Sequence, residues 1–186
     1  MRRLGVATVA AGLVAVSYRL VVAGQLTLDV NAGRRVRPLG PLTRTIEAPR
    51  ETVFDVIAAP YLGRTPRAMA DEIVVLERGT DMVLAAHRTV VGRRQVATTV
   101  ETVRFERPAR VSFRLLRGPV PHVVESFSLS DVQGSTRVDY EGELGTDFGT
   151  VGQWWGELVA RKWVARVDGS LAGIAQEAER RANRNR

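Results

Sequence analysis

A chain of 186 residues with 45% hydrophobic and 25% charged residues is long enough for one globular domain with a short appendage, and its composition argues against extensive disorder. It has no cysteine, which excludes disulfides, thiolate metal sites and cysteine nucleophiles. The net charge of +7 is carried almost entirely by arginine, and because no helix-turn-helix, zinc-finger or RNA-binding aromatic motif accompanies it, no nucleic-acid partner is expected.

The first 24 residues differ from the rest of the chain. Arg2 and Arg3 precede an apolar run from Leu4 to Val16, and the run continues past Arg19 to Gly24. A membrane span needs roughly 20 apolar residues, and this segment reaches that length if Arg19 extends to the interface. The sequence therefore predicts an uncleaved membrane-type helix, with a signal peptide or an amphipathic or buried helix as alternatives.

Arginines on the C-terminal side of this segment outnumber those before it. They are Arg34, Arg35, Arg37 and Arg44. This bias favours a folded domain on the cytoplasmic side of a membrane, whereas a cleaved signal peptide would give a secreted protein. Residues 25–41 are predicted to be a linker, because Pro38 and Pro41 suit an extended spacer.

A short strand, Leu42 to Glu47, precedes a helix that begins at Pro49 and reaches Pro60. A weaker helix or an irregular turn is predicted from Tyr61 to Ala70. Six strand-like runs follow, at 72–78, 82–91, 93–105, 108–117, 121–131 and 136–144. Their short connections require antiparallel pairing, because parallel strands need long crossovers.

The last predicted element is a helix from about Gly149 to Ala182, which Thr146 and Asp147 can cap. Its apolar residues recur every three or four positions, which predicts one buried face. They are Trp155, Val159, Trp163, Val167, Leu171, Ile174 and Ala178. The order of elements predicts an α+β fold in which a curved antiparallel sheet is folded around this helix.

Three features of the sequence resemble the START-related (SRPBCC) superfamily. They are the run Pro49–Ile57 after a short strand, the Phe105–Pro108 segment before a strand, and the terminal helix with its tryptophans. This superfamily includes polyketide cyclase/dehydrase-like proteins, birch-pollen-allergen-like proteins and lipid-transfer domains. The resemblance covers residues 42–183, which leaves 184–186 as a basic tail. It implies a helix-grip fold, a seven-stranded antiparallel sheet wrapped around a long C-terminal helix, with a hydrophobic cavity between them.

Glu125 is the strongest candidate for chemistry. In its strand it shares a face with Val123, Phe127 and Leu129, so it is expected to point inward or to lie at a cavity rim. Desolvation there would raise the pKa of its carboxyl group, which could then act as an acid or base or bind a polar ligand group. The alternative is a structural glutamate paired with an arginine of a neighbouring strand.

Two further residues are weaker catalytic candidates. Tyr140 could offer its hydroxyl to a ligand or simply fill the core, and His87 could face the pocket or serve as a hydrogen-bonded structural residue. Only His122 accompanies His87, and the two lack metal-ligand spacing, so neither a metal nor another cofactor is expected.

The predicted cavity residues are Phe113, Glu125, Phe127, Tyr140, Trp155 and Trp163. The favoured function is a membrane-anchored binding or carrier protein for a lipid, polyketide or isoprenoid-like molecule, because few polar residues are expected to face inward. The alternatives are a cyclase- or dehydratase-like enzyme that uses Glu125 with His87 or Tyr140, and an interaction domain whose cavity has closed.

Overall fold

The computed structural model describes residues 12, 15–63, 72–92 and 95–184. Seven strands and two complete helices form the domain. They are β1 (Arg35–Ile46), α1 (Arg50–Leu62), β2 (Ile73–Arg78), β3 (Met82–Gly92), β4 (Gln95–Glu106), β5 (Arg110–Arg117), β6 (His122–Val132), β7 (Ser135–Thr146) and α2 (Gly149–Arg184).

The seven strands form one antiparallel sheet in the order β1-β7-β6-β5-β4-β3-β2. Each of the six strands from β2 to β7 pairs with its neighbour in the chain, as the short connections predicted. The first strand pairs with the last. Buried residues of α1 and α2 share one hydrophobic core with the inner face of the sheet. The predicted α+β, helix-grip architecture is confirmed in these elements.

Strand β1 begins at Arg35, seven residues before the predicted start at Leu42. Pro38 and Pro41 suggested an extended spacer, but β1 is an edge strand that pairs only with β7, where proline is tolerated because one side of the strand lacks a partner. The pairing is irregular between Leu39 and Leu42, at the second proline.

Helix α1 also extends beyond its prediction, since it continues past Pro60 to Leu62. The N–H of Gly63 donates to the carbonyl of Ala59 at 3.0 Å, and Arg78 donates to the carbonyl of Tyr61, so hydrogen bonding continues beyond the proline. The extension brings the buried side chain of Tyr61 into the interior. Most of the helix or turn predicted for Tyr61 to Ala70 lies outside the described residues.

Helix α2 runs for 36 residues and packs against β1, β7 and α1. Its first turns lie close to the end of β7, because Gly152 and Gly156 have no side chains. A Cβ atom on Gly152 would lie 1.6 Å from the carbonyl oxygen of Asp147. A Cβ atom on Gly156 would lie 3.1 Å from the side chain of Thr146.

Asp147 does not cap α2, contrary to the prediction. Its carboxylate accepts hydrogen bonds from the backbone N–H groups of Val30 and Asn31, at 2.8 and 2.9 Å, and from Arg34. These bonds fasten the segment before β1 to the start of α2. The Arg34 guanidinium, followed by the two backbone donors, lowers the pKa of Asp147 to about 2 although desolvation opposes this.

Residues 15–22 are helical and end against the domain. Val22 is buried, and the ring of Tyr18 meets the ring of Trp155 edge-on with centroids 5.9 Å apart. Most of the segment predicted as a membrane helix, residues 1–24, lies outside the described residues. Within the described part of the chain, no helix combines the length and apolar character that crossing a bilayer requires.

Candidate functional site

A cavity of about 930 Å³ lies between the inner face of the sheet, α1 and α2. This volume falls in the range of small-molecule binding sites. Its walls are mainly aliphatic and aromatic, and they include Ile57, Phe113, Phe127, Trp155, Val159 and Val167. Its size argues against the alternative of an interaction domain with a closed interior.

Glu125 enters the cavity from the centre of β6. The residues of this strand alternate between buried and partly exposed positions, and Glu125 is in the buried row with 7% of its surface exposed. The Tyr140 hydroxyl donates to Oε2 at 2.6 Å, and the Trp163 indole N–H donates to the same oxygen at 2.7 Å. Both donors bond to one oxygen, so Oε1 is the oxygen that they leave for a ligand.

The surroundings of Glu125 stabilise its protonated form. Desolvation is the main cause, and the nearby negative charge of Glu101 adds to it, while the Tyr140 and Trp163 donors act in the opposite direction. Desolvation and the charge of Glu101 outweigh the two donors and raise the pKa of Glu125 to about 7. Near neutral pH this carboxyl group can therefore either donate or accept a proton.

His87 and Glu101 form a buried ion pair on the neighbouring strands β3 and β4. Nδ1 of His87 lies 3.1 Å from Oε2 of Glu101, whose exposed fraction is only 3%. Desolvation lowers the pKa of His87, but the charge and hydrogen bond of Glu101 outweigh it and raise this pKa overall. Likewise, His87 lowers the pKa of Glu101 despite desolvation. Both shifts favour the imidazolium–carboxylate form of the pair.

Tyr61 extends this pair into the cavity. Its hydroxyl oxygen lies 3.1 Å from Nε2 of His87, and a protonated imidazole donates on that side. The hydroxyl hydrogen of Tyr61 is then free to donate to a ligand. Burial, followed by the charges of Glu101 and Glu125, raises the pKa of Tyr61, so its hydroxyl stays protonated.

A row of aromatic rings lies between Glu125 and the polar group formed by Tyr61, His87 and Glu101. Tyr61 contacts Phe113 with ring centroids 6.0 Å apart, Phe113 contacts Phe127 at 5.8 Å, and Phe127 contacts Tyr140 at 5.3 Å. These distances are typical of edge-to-face and tilted aromatic pairs. One wall of the cavity is therefore aromatic, with Tyr61 and His87 at one end and Glu125 at the other.

A comparison with protein-family models gives one match. The model described as polyketide cyclase/dehydrase and lipid transport matches residues 42–179, well over half of the chain. The chain belongs to this family. The membership confirms the START-related resemblance that the sequence carries, although a comparison of the sequence with curated proteins found no significant match.

Several solved structures share the fold of this family member. The Zhui aromatase/cyclase from Streptomyces sp. R1128 has a TM-score of 0.60 and 19% identity, over 80% of this chain and 95% of that one. A protein from Thermus thermophilus has a TM-score of 0.58 and 16% identity, over 77% and 97%. The di-domain ARO/CYC StfQ from the steffimycin biosynthetic pathway has a TM-score of 0.55 and 22% identity, over 78% and 46%. At these identities the likeness shows a common fold alone.

Not all of the site residues predicted from the sequence of this family member face the cavity. Those that line it are His87, Phe113, Glu125, Phe127, Trp155 and Trp163. Tyr140 is fully buried and lies behind Glu125, where its hydroxyl bonds to the carboxylate. His122 lies apart from the cavity and bonds to Glu143 at 2.8 Å. Whether the lining residues bind a ligand or catalyse a reaction stays a prediction.

Sequence reasoning missed two residues of the site, Glu101 and Tyr61. Glu101 has the same pattern as Glu125, because it shares the buried face of β4 with Ala97 and Val103. Period-2 alternation could have identified it. Tyr61 follows Pro60, where a helix is expected to end, so its inward position had no sequence pattern to indicate it.

In the part of the chain that the structure describes, no three His, Asp or Glu side chains are grouped so that they could hold a metal ion. The carboxylates and the imidazole of the cavity instead bond to one another and to aromatic donors.

Proposed function

We propose that this protein binds a hydrophobic small molecule of the lipid, polyketide or isoprenoid type in its cavity, and that it acts as a carrier. The observation behind the proposal is the cavity of about 930 Å³ with apolar walls and a few buried polar groups. Such a combination is typical of small-molecule sites, where apolar walls provide affinity and a few polar groups fix orientation. The description of the family, polyketide cyclase/dehydrase and lipid transport, supports the same class of ligand.

The polar groups would orient the ligand through hydrogen bonds. The protonated carboxyl group of Glu125 and the hydroxyl of Tyr61 are both hydrogen-bond donors, and the ionised Glu125 is an acceptor. A carbonyl, hydroxyl or phenol group could bond at either place. The aromatic row between them would contact a flat, ring-containing body.

Titration with N-phenyl-1-naphthylamine, an uncharged probe that fluoresces in apolar surroundings, tests the proposal. Binding is expected to saturate at one molecule per chain. The Ala97→Phe variant adds a ring to the cavity wall and should weaken binding about tenfold or more, whereas Ala172→Phe, on the exposed side of α2, should not. No increase in probe fluorescence with the wild-type protein would show that the probe does not bind and would overturn the proposal. Mass spectrometry of solvent extracts of the purified protein would identify a natural ligand.

A second candidate function is acid–base catalysis on a bound carbonyl compound, as in a cyclase or dehydratase. The observation that favours it is the number of inward polar side chains, since Tyr61, His87, Thr99, Glu101 and Glu125 all line the cavity. This is more than the sequence predicted, and enzymes need such groups where carriers need only one contact. The ionised Glu125 would take the proton next to a carbonyl, and the Tyr61 hydroxyl would donate a hydrogen bond to the carbonyl oxygen.

Proton exchange separates the two candidates. Wild-type protein in D₂O would be incubated with 2-acetonaphthone, and deuterium in its methyl group would be followed by NMR. An enzyme of this kind accelerates the exchange, and Glu125→Gln abolishes the acceleration while the uncharged fluorescent probe still binds. Binding without accelerated exchange would leave the carrier as the function.

Attachment to a membrane through residues 1–24 stays a prediction that rests on the apolar sequence of this segment. Its test is the fractionation of cells that produce the full chain. The double variant Ala10→Asp and Leu13→Asp places two charges in the apolar run and should move the protein from the membrane to the soluble fraction. A protein that is soluble without these changes would overturn membrane attachment, and recovery outside the cell would indicate the secreted alternative.

A further inference from the structure

Carboxylates predominate among the charged residues in the interior of the cavity, and cations predominate at its opening. Among the described residues, the interior contains the buried carboxylates Glu101 and Glu125 and one possible cation, His87. The exposed or half-exposed charged residues of the lining define the mouth. They are Glu72, Arg88, Lys162, Arg166, Glu177, Arg180 and Arg181. The mouth of the cavity therefore carries more cations than carboxylates.

Both carboxylates of the mouth already have arginine partners. Arg166 on α2 bonds to Glu72 at 2.6 Å, which joins the helix to the start of β2. Arg180 and Arg181 both bond to Glu177, at 2.6 and 2.7 Å. The Arg166–Glu72 pair is neutral, whereas Arg180 and Arg181 share one carboxylate and keep one positive charge in excess, although both guanidinium groups are already engaged by Glu177.

Arg88 of β3 and Lys162 of α2 form no ion pair among the described residues. Period-2 alternation places Arg88 on the opposite face of β3 from the cavity residue His87, which leaves Lys162. It is exposed on α2, it lines the cavity, and it lies one helical turn before Arg166 and next to Trp163. Residues four positions apart lie on the same side of a helix, so Lys162 and Arg166 face the opening together. An ammonium group in this place can bind an anion without breaking an existing ion pair.

The interior of the cavity disfavours an anion. The charge of His87 is already paired with Glu101 at 3.1 Å, and an anionic group beside Glu125 would meet a second carboxyl group in desolvated surroundings. An uncharged hydrogen-bonding group meets no such repulsion, because Tyr61 and the protonated Glu125 can donate to it. A carboxylic acid or a phosphate would therefore not enter with its charged end first.

We propose that the ligand is an anionic amphipath, whose apolar body and uncharged polar group lie inside the cavity and whose carboxylate, sulfate or phosphate group lies at the mouth beside Lys162. This inference rests on the proposed ligand-binding function and specifies the ligand and its orientation. The apolar body fills the aromatic and aliphatic interior, while the anion stays partly in water and so avoids most of its desolvation penalty.

Two fluorescent probes that differ only in a sulfonate test the inference. They are 8-anilinonaphthalene-1-sulfonate, which is anionic, and N-phenyl-1-naphthylamine, which has the same skeleton without the charge. Lys162→Gln should weaken binding of the anionic probe by up to about fivefold at low salt, which is the upper end of the range for one exposed charge pair. Binding of the uncharged probe should change less than about twofold, and Lys162→Arg should restore the anionic probe's affinity.

Arg161→Gln is the matched control, because it removes the same charge from the adjacent residue of α2, which does not line the cavity. This variant should leave the affinity for both probes unchanged. Equal weakening by Arg161→Gln and Lys162→Gln would show general charge attraction and would overturn the inference. An equal effect of Lys162→Gln on the two probes would also overturn the inference, but the proposed binding of a hydrophobic ligand would still be supported. Failure of both probes to bind the wild-type protein would overturn the inference together with the proposed function.

Discussion

Glu125 and Trp163 are joined by a hydrogen bond of 2.7 Å, in which the indole N–H donates to Oε2 and thereby links β6 to α2 across the cavity. Tyr140 donates to the same oxygen from β7 at 2.6 Å. One carboxylate oxygen thus holds two strands and the long helix together. The position of the helix over the sheet and the proton affinity of Glu125 therefore depend on the same contacts.

The stability of the protein should fall as pH rises from about 4.5 to 7. Glu125 binds its proton more tightly in the folded protein, where its pKa is about 7, than in the unfolded chain, where the ordinary value is 4.5. Raising the pH across this window therefore removes the proton first from the unfolded chain, which lowers the free energy of unfolding by about 3 kcal/mol from this group. Urea unfolding at several pH values measures the change.

The Glu125→Gln variant should lose this decrease, because the amide does not titrate. Glu141→Gln, an exposed residue of β7, serves as the control and should retain the wild-type slope. A slope that is the same in all three proteins would mean that Glu125 titrates normally.

Glu101→Gln should lower the pKa of His87. The wild-type carboxylate raises this pKa by its charge and hydrogen bond. When both are removed, the desolvation of the ring, which lowers the pKa, is no longer outweighed by Glu101. NMR titration of the histidine ring protons measures it, and we expect the His87 midpoint to move to lower pH.

Only two histidines are present, so the spectrum contains its own reference in His122. Glu143→Gln removes the partner of His122 instead and should leave the titration of His87 unchanged. A His87 pKa that does not respond to Glu101→Gln would contradict the ion pair.

Trp163→Phe should destabilise the protein by about 1–2 kcal/mol, because a buried carboxyl oxygen loses one of its two donors while an aromatic ring, smaller than the indole, still occupies the position. The same loss should raise the pKa of Glu125, because the donor favours the ionised form. Thermal unfolding at pH 7 measures the first effect and the pH dependence of stability measures the second.

Trp154→Phe is the control for this substitution, because 71% of the surface of Trp154 is exposed. Its effect should stay within about 0.5 kcal/mol. Equal losses in the two variants would indicate that the indole N–H of Trp163 contributes nothing specific.

Two glycines of α2 should respond to alanine in opposite directions. At Gly152 an added Cβ would lie 1.6 Å from the backbone oxygen of Asp147, so the helix must shift, and we expect a loss of about 1–3 kcal/mol or more. At Gly169 no atom lies within 4 Å of an added Cβ, and the better helix propensity of alanine should stabilise the protein by about 0.5–1 kcal/mol. Chemical unfolding of both variants checks this, and a stable Gly152→Ala protein would contradict the close helix–strand contact.

Alternation and turn residues were sufficient to predict the order of elements, the antiparallel pairing and the inward direction of Glu125. These features depend on neighbours in the chain, since period-2 alternation assigns the face of each strand residue. The start of β1 could not be predicted in the same way. Pro38 and Pro41 are acceptable in a strand only because β1 lies at the sheet edge, and edge position depends on the whole topology.

The sequence by itself therefore determined the fold class, the family and the presence of one inward carboxylate, because local periodicity and composition carry that information. Only the tertiary structure decided that Glu125 bonds to Tyr140 and Trp163 rather than to an arginine. It also decided that Glu101, His87 and Tyr61 form a second polar group. The physical reason is that hydrogen bonds and desolvation depend on side chains from separate elements, and their distances are set only when the sheet closes over α2.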